Sequence, residues 1–153
     1  NVEAIVIGDG PERSKLESLA GKLGVTDHLK FMGVYPHDKM PGLLSSSDLA
    51  VFPSLMEATS IAALESMACE VPVAASRIGG LPEILDHKVG ALFEPADPES
   101  LAETVIALLE GGQLRKLGLE ARKRVVERWS NERLTDRHLE IYEDLLAIRH
   151  SVN

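Results

Sequence analysis

Cysteine is almost absent from this chain: Cys69 stands alone, so no internal disulfide can form, a usage that fits a reducing compartment among others. Positive charge is also short. With 16 Lys and Arg against 24 Asp and Glu, the net charge is -8, which argues against nucleic acid as a main partner because phosphate neutralisation needs clustered cations. Long apolar runs are missing too. Stretches such as "VEAIVIG" and "DLAVFPS" fall well below the roughly 18 residues that cross a bilayer, and no signal-peptide pattern opens the chain. No transmembrane segment is expected, and the cytoplasm is the default location. His28, His37, His87, His138 and His150 lack metal-ligand spacing with one another or with Cys69, so no metal is expected. A G-x-S-x-G nucleophile elbow is likewise missing. Cys69 falls near the apolar face of an expected helix, where an inert buried thiol is anticipated rather than a nucleophile. Asn1 runs straight into "VEAIVIGDG" with no initiator Met or polar lead-in, and the expectation is a fragment cut just upstream of a buried strand.

What is present suits one soluble globular unit: 153 residues, 44% hydrophobic and 26% charged, are enough to bury a sizeable core. Short β-rich runs alternate with longer amphipathic ones, the signature of βα units around a parallel sheet. Strands are expected over residues 2–7, 29–33, 49–53, 71–75 and 91–94, and helices over 11–24, 37–46, 60–69 and 81–86. Runs that are apolar on both faces point to strands covered by helices on either side. Pro11 is expected at the first position of the first helix, with Leu16, Leu19, Ala20 and Leu23 on its buried face and Gly24 as its stop. Asp97 should cap a further helix that begins at Pro98, presents Leu101, Val105, Leu108 and Leu109, and ends at Gly111-Gly112. Two more helical segments fill residues 113–153, broken near Trp129-Ser130-Asn131, with Ser130 able to cap the second. Leu134, His138, Ile141, Tyr142, Leu145 and Ile148 form a stripe on that last segment which needs a partner, either the sheet or a neighbouring domain.

In an open parallel sheet, ligands bind beyond the carboxyl ends of the strands, where helix starts offer N–H groups and partial positive charge. Four strand exits qualify. At "GDGPE", Gly8 and Gly10 permit close backbone approach, but Arg13 occupies the place of a dinucleotide fingerprint's third glycine, and a tight turn explains the run equally well. At "FMGVYPHDKM", Val34 and Tyr35 could wall a heterocyclic base, although a loop with a half-buried tyrosine is the simpler local reading. At "EATSIAALE", Glu57 precedes a helix start at Thr59-Ser60, whose face Ile61, Leu64, Met67 and Ala68 should pack on the sheet. Glu65 lies about 7 Å along the axis from Ser60 at ~1.5 Å per residue. The two carboxylates could flank a diphosphate resting on the N–H groups of Ser60, Ile61 and Ala62, each gripping a vicinal diol of a nucleotide sugar. Simple complementarity to the helix dipole, about 0.3–1 kcal/mol per acid, accounts for the same spacing. At "AASRIGGLPEI", Gly79-Gly80, Pro82 and Glu83 could line the same cleft or serve only turn chemistry.

Taken in order, "IVIGDGPE", "KFMGVYP", "SSDLAVFPSLMEATSIAALESMACEVPVAASRIGGLPEI" and "GALFEPADPESLAETVIALL" resemble the C-terminal, donor-binding domain of family 4 (group 1) retaining glycosyltransferases of GT-B fold. The most specific element is the pair Glu57 and Glu65, separated by seven residues and followed by Val71-Pro72-Val73 and by Gly79-Gly80-x-Pro82-Glu83. The resemblance implies a Rossmann-like three-layer α/β/α domain with a parallel sheet, one half of a GT-B molecule, over residues 1–153. It also implies that Glu57, the catalytic candidate, contacts the donor sugar and that Glu65 hydrogen-bonds the ribose. By the same resemblance, backbone N–H groups from Thr59 through Ser60 and Ile61 to Ala62 hold the phosphates, and Val34 and Tyr35 receive the base. Gly8 and Gly10 join the donor-binding set. Ser60 stands where many members have glycine, and Glu70 replaces a usual glycine before "VPV", which reads as surface variation.

The implied reaction is transfer of a sugar from an NDP-sugar to an acceptor with retention at the anomeric carbon, with no cofactor beyond that substrate and no required metal. Members of the family carry an N-terminal acceptor domain and an upstream strand and loop whose Arg and Lys clamp the diphosphate; this chain is expected to lack that domain and the first strand-helix unit. Without those cations the chain alone is expected to show at most weak donor binding and no transfer. Peripheral membrane association of the full enzyme stays open. A nucleotide-sugar epimerase of GT-B fold and a non-catalytic Rossmann-like regulatory module are the competing readings. A signalling receiver ranks low, because the third strand ends in Pro53-Ser54 where a phosphoacceptor Asp would stand.

Overall fold

The computed structural model describes residues 2–151, and side chains as far as residue 148, so the side chain of His150 and the last two residues of the expected tail lie outside it. The chain divides into two compact units, one ending at Met40 and the other starting at Pro41.

In the first unit, β1 (Ala4–Ile7) pairs in parallel with β2 (Leu29–Gly33), joined through α1 (Arg13–Leu23) and a 3-10 turn (Thr26–His28). The register runs Ala4 opposite Leu29 through Val6 opposite Phe31, then slips so that Ile7 faces Gly33. Helix α1 starts two residues later than expected. Gly10 O accepts from Arg13 N at 3.1 Å, which places Pro11 as the second residue of a tight turn rather than first in the helix. Its stop is as expected: Gly24 is left-handed (φ 68°) and its N–H reaches the carbonyls of Ala20 and Gly21. Of the expected buried face only Ala20 is buried; Leu16, Leu19 and Leu23 are 46%, 49% and 66% exposed. Ile5 and Ile7 of β1 are also exposed, so this strand lacks the two-sided cover that its apolar run predicted.

A 3-10 turn (His37–Lys39) falls at the end of the first unit, and α2 (Met40–Ser45) opens the second. The second unit holds the parallel sheet β3 (Ala50–Phe52), β4 (Val73–Ser76), β5 (Gly90–Phe93), with β4 in the centre and fully buried. Around it stand α3 (Ile61–Ala68), α4 (Leu81–Ile84), α5 (Pro98–Glu110), α6 (Leu114–Trp129) and α7 (Asn131–Ser151). The core joins Ala63 and Met67 of α3, Val73 and Ala75 of β4, Leu81 and Ile84 of α4, and Ala121 and Val125 of α6.

Caps predicted from single residues are in place. Asp97 accepts from the N–H groups of Glu99 and Ser100 at 3.0 Å with Pro98 opening α5, and Ser130 accepts from Arg133 N at 3.3 Å at the start of α7. The expected face of α5 is half-buried. Strand β4 begins at Val73 rather than Val71 because Val71 N is drawn back to Ser66 O at 3.1 Å. Helix α4 is a single turn: Leu85 turns to extended backbone, and Asp86 is held by Arg124, whose Nη2 donates to both carboxylate oxygens at 2.9 Å. The apolar stripe of α7 does not cover the sheet, since residues 131–148 are exposed throughout.

Between α3 and α6 the backbones come close. A Cβ on Gly118 would lie 1.9 Å from Glu70 O, so only glycine lets α6 pass there. Glu70 itself is exposed, as surface variation would have it, but its φ of 64° is a left-handed backbone geometry that glycine adopts at lower cost.

Candidate functional site

At the first unit's strand exits, Gly8 (φ 118°) donates its N–H to Gly33 O at 2.8 Å, which ties the loop after β1 to the end of β2. Gly33 is left-handed (φ 68°), and a Cβ there would meet Arg13 Nη1 at 2.9 Å. Arg13 braces this end. Its Nε donates to Glu17 at 2.9 Å, Nη2 to Phe31 O at 3.4 Å, and Nη1 faces Asp9 at 3.6 Å. The bond to Glu17 and the nearby acids raise the guanidinium pKa further above its ordinary value. Asp9 Oδ1 accepts from Gly10 N at 2.8 Å. Gly8, Gly10, Arg13 and Phe31 border an open groove of about 330 Å³. Beyond β2, Val34 is 82% exposed and Tyr35 half-buried. The first unit therefore brings four predicted positions, Gly8, Gly10, Val34 and Tyr35, to the carboxyl ends of a paired strand couple.

The second unit gathers the others. Ser60 is the N-cap of α3: its backbone is extended, its hydroxyl accepts from Ala63 N at 3.4 Å, and its carbonyl accepts from Leu64 N. That leaves the N–H groups of Ile61 and Ala62 at a helix start, where no intrahelical carbonyl can reach them. Glu65 is half-buried on the second turn. Glu57, also half-buried, sits three residues before the cap, with Ser54 Oγ 3.5 Å from its Oε2. Ala58 and Thr59 between them are exposed. One packing expectation changes: Ile61 is 68% exposed, and Ala63 takes its place in the core beside Met67, with Leu64 and Ala68 half-buried. Side chains tilt toward a helix's start, so that of the first residue has no preceding turn to lie over.

The loop leaving β4 supports this one in a way the sequence did not reveal. Ser76, fully buried, donates its hydroxyl to Ser54 O at 2.6 Å, with Phe52 O at 3.2 Å. Gly80 N donates to Ala58 O at 2.8 Å. A Cβ on Gly79 would lie 1.8 Å from Glu57 O, and one on Gly80 2.4 Å from Ala58 O. The doublet Gly79-Gly80 is thus a close crossing of two loops, and its only sequence signal was the pair of glycines itself.

Cys69 is half-buried rather than buried, because it stands at the C-cap of α3 instead of on its apolar face. Among the described residues, no group of three or more His, Cys, Asp or Glu side chains could hold a metal ion. Among the same residues, no helix is long and apolar enough to cross a membrane.

Residues 1–127 match the family model described as "Glycosyl transferases group 1". The N-acetyl-alpha-D-glucosaminyl L-malate synthase of Bacillus anthracis is 34% identical over 148 residues, which is 95% of this chain and 38% of that protein. A sucrose-phosphate synthase from Thermosynechococcus elongatus superposes with a TM-score of 0.82 at 28% identity, over 94% of this chain and 38% of its own. The Anabaena protein HepE, solved in complex with UDP-glucose, gives a TM-score of 0.80 at 26% identity, over 95% of this chain and 41% of its own. This chain therefore spans about two fifths of the length of the relatives it matches. Its fold is the Rossmann-like α/β/α fold with parallel sheets that makes up one half of a GT-B molecule. The chain belongs to the group 1 glycosyl transferase family.

Proposed function

We propose that this chain is the C-terminal, donor-binding domain of a retaining glycosyltransferase and takes an NDP-sugar as its donor. The observation that carries the reading is the β3 exit: a Ser60-capped helix start with Glu57 ahead of it and Glu65 one and a half turns inside. In this reading the diphosphate rests on the N–H groups from Thr59 to Ala62, with the helix dipole favouring its charge. Glu65 accepts hydrogen bonds from the ribose diol, and Glu57 does so from the donor sugar. Val34 and Tyr35 receive the base, and Gly8 and Gly10 leave room for backbone approach.

The whole enzyme would break the bond between the anomeric carbon and the diphosphate oxygen and form a bond from the acceptor oxygen to that carbon on the same face. The acceptor's proton passes to the departing diphosphate. An acceptor domain supplies the second substrate, and the cytoplasm is the proposed setting. HepE, whose structure holds UDP-glucose, lends support through its shared fold.

Ligand-observed NMR of the 153-residue chain with UDP, GDP, ADP and their sugars tests the donor role. Binding of one nucleotide series is expected, weakened about tenfold or more by Glu65→Ala, as for a lost hydrogen-bonding charge. Binding that is unchanged in the variant would remove Glu65 from the ribose.

A further inference from the structure

We propose that Ser54, Ser76, Gly79 and Gly80 are positioning residues that hold the Glu57 carboxylate where a donor sugar meets it, an inference that rests on the donor-binding reading above. The loop that carries Glu57 has little core of its own: Leu55 and Met56 beside it are 68% and 90% exposed. Left to itself such a loop would sample many conformations, and a carboxylate on it would spend binding energy on being ordered.

Three contacts from the β4 exit remove that freedom. The buried Ser76 hydroxyl fixes the carbonyl of Ser54 at 2.6 Å, at the start of the loop. Gly80 N–H fixes the carbonyl of Ala58 at 2.8 Å, at its end. Between them Gly79 lies so close to Glu57 O that any side chain at position 79 would have to displace the Glu57 backbone. The side chain of Glu57 is then met by Ser54 Oγ at 3.5 Å, so the residue that Ser76 anchors is the one that faces the carboxylate. Gly79 (φ 55°) also needs a backbone conformation open to glycine, which makes the crossing doubly dependent on this doublet.

The test measures how much the sugar adds to binding, as the ratio of the dissociation constants for the nucleoside diphosphate and its sugar. It uses the tightest pair among UDP and UDP-glucose, GDP and GDP-mannose, and ADP and ADP-glucose. Glu57→Gln is expected to reduce that ratio about tenfold, the order for a hydrogen bond to a charged group. Gly80→Ala and Ser54→Ala should reduce it severalfold while diphosphate affinity stays within about threefold, and Ser54→Thr, which keeps a hydroxyl, should restore it. The double variant Glu57→Gln with Gly80→Ala should lose little more than Glu57→Gln alone, because both act through one group. If Gly80→Ala fails to fold, the Ser54→Ala and Ser54→Thr pair decides.

A ratio that falls in Glu57→Gln and holds in both Gly80→Ala and Ser54→Ala overturns the positioning role and leaves the donor reading standing. A ratio unmoved by Glu57→Gln, or no binding of any pair by the wild-type chain, overturns the donor reading and this inference with it.

Discussion

In β1–α1–β2 and β3–α3–β4 the chain builds one motif twice, a strand, a helix and a parallel strand, each with helical apolar spacing and each with a glycine-bearing loop at a strand exit. The first copy buries Ala20 alone of its helix, starts that helix with no side-chain cap, and braces its exit with Arg13, Asp9 and Glu17 on the surface. The second buries Ala63, Ser66 and Met67, caps its helix with Ser60, and braces its exit with the buried Ser76 and a close backbone crossing at Gly79-Gly80. Apolar periodicity reports which face of a helix is apolar; whether anything covers that face is a separate fact. Exposed ion pairs contribute roughly 0–1 kcal/mol, whereas truncating a buried side chain costs several times that, so the two copies are held at different energetic scales.

The sharpest way to break this contrast is to truncate one helix residue in each copy. Met67→Ala should cost about 2–5 kcal/mol, and Leu19→Ala within about 0.5 kcal/mol, by urea denaturation. Equal losses would mean that Leu19 is covered in solution. A second comparison uses glycines. Gly118→Ala puts a methyl into the Glu70 carbonyl and should cost about 1–3 kcal/mol or more, while Gly21→Ala in α1 meets open space and should stabilise by about 0.5–1 kcal/mol.

The smallest effect separates a bracing ion pair from its background through pH. Partial burial pushes the Asp86 carboxyl up, but the Arg124 guanidinium and the N–H of Lys88 outweigh it and hold its pKa below the ordinary value. A depressed folded-state pKa contributes stability that is present above the unfolded value, about 3.9, and is lost as pH falls through the folded one. With Asp86 nearly half exposed, the pair is worth at most about 1 kcal/mol. Asp86→Asn should thus lower Tm modestly at pH 7, and the gap from wild type should close as the pH falls below the ordinary carboxylate range.

Much of the second unit was legible because its signals are local. Ser60, Asp97 and Ser130 each cap a helix through a bond to a residue two or three places on, and residue type with spacing is enough to read that. The pair Glu57 and Glu65 was legible for the same reason, since both are placed by the helix start between them. What failed depended on competing or distant bonds. Pro11 suits a helix start and the second place of a turn equally, and the Gly10–Arg13 hydrogen bond decided for the turn. Val71 has strand character but is held by Ser66, and Ile61 has core character but stands exposed at the first position of α3. The seat under Glu57 joins loops more than twenty residues apart, and only their meeting shows that Ser76 and Gly80 act on it.

Glu70 carries a consequence for how this sequence can change. Its backbone adopts a geometry that favours glycine, and its carboxylate gains only a 3.7 Å contact with Arg122 on the surface. Either glutamate codon becomes a glycine codon by one change at its second base. Selection for heat resistance therefore has a one-step route here, and error-prone libraries of this gene should return that codon early and repeatedly.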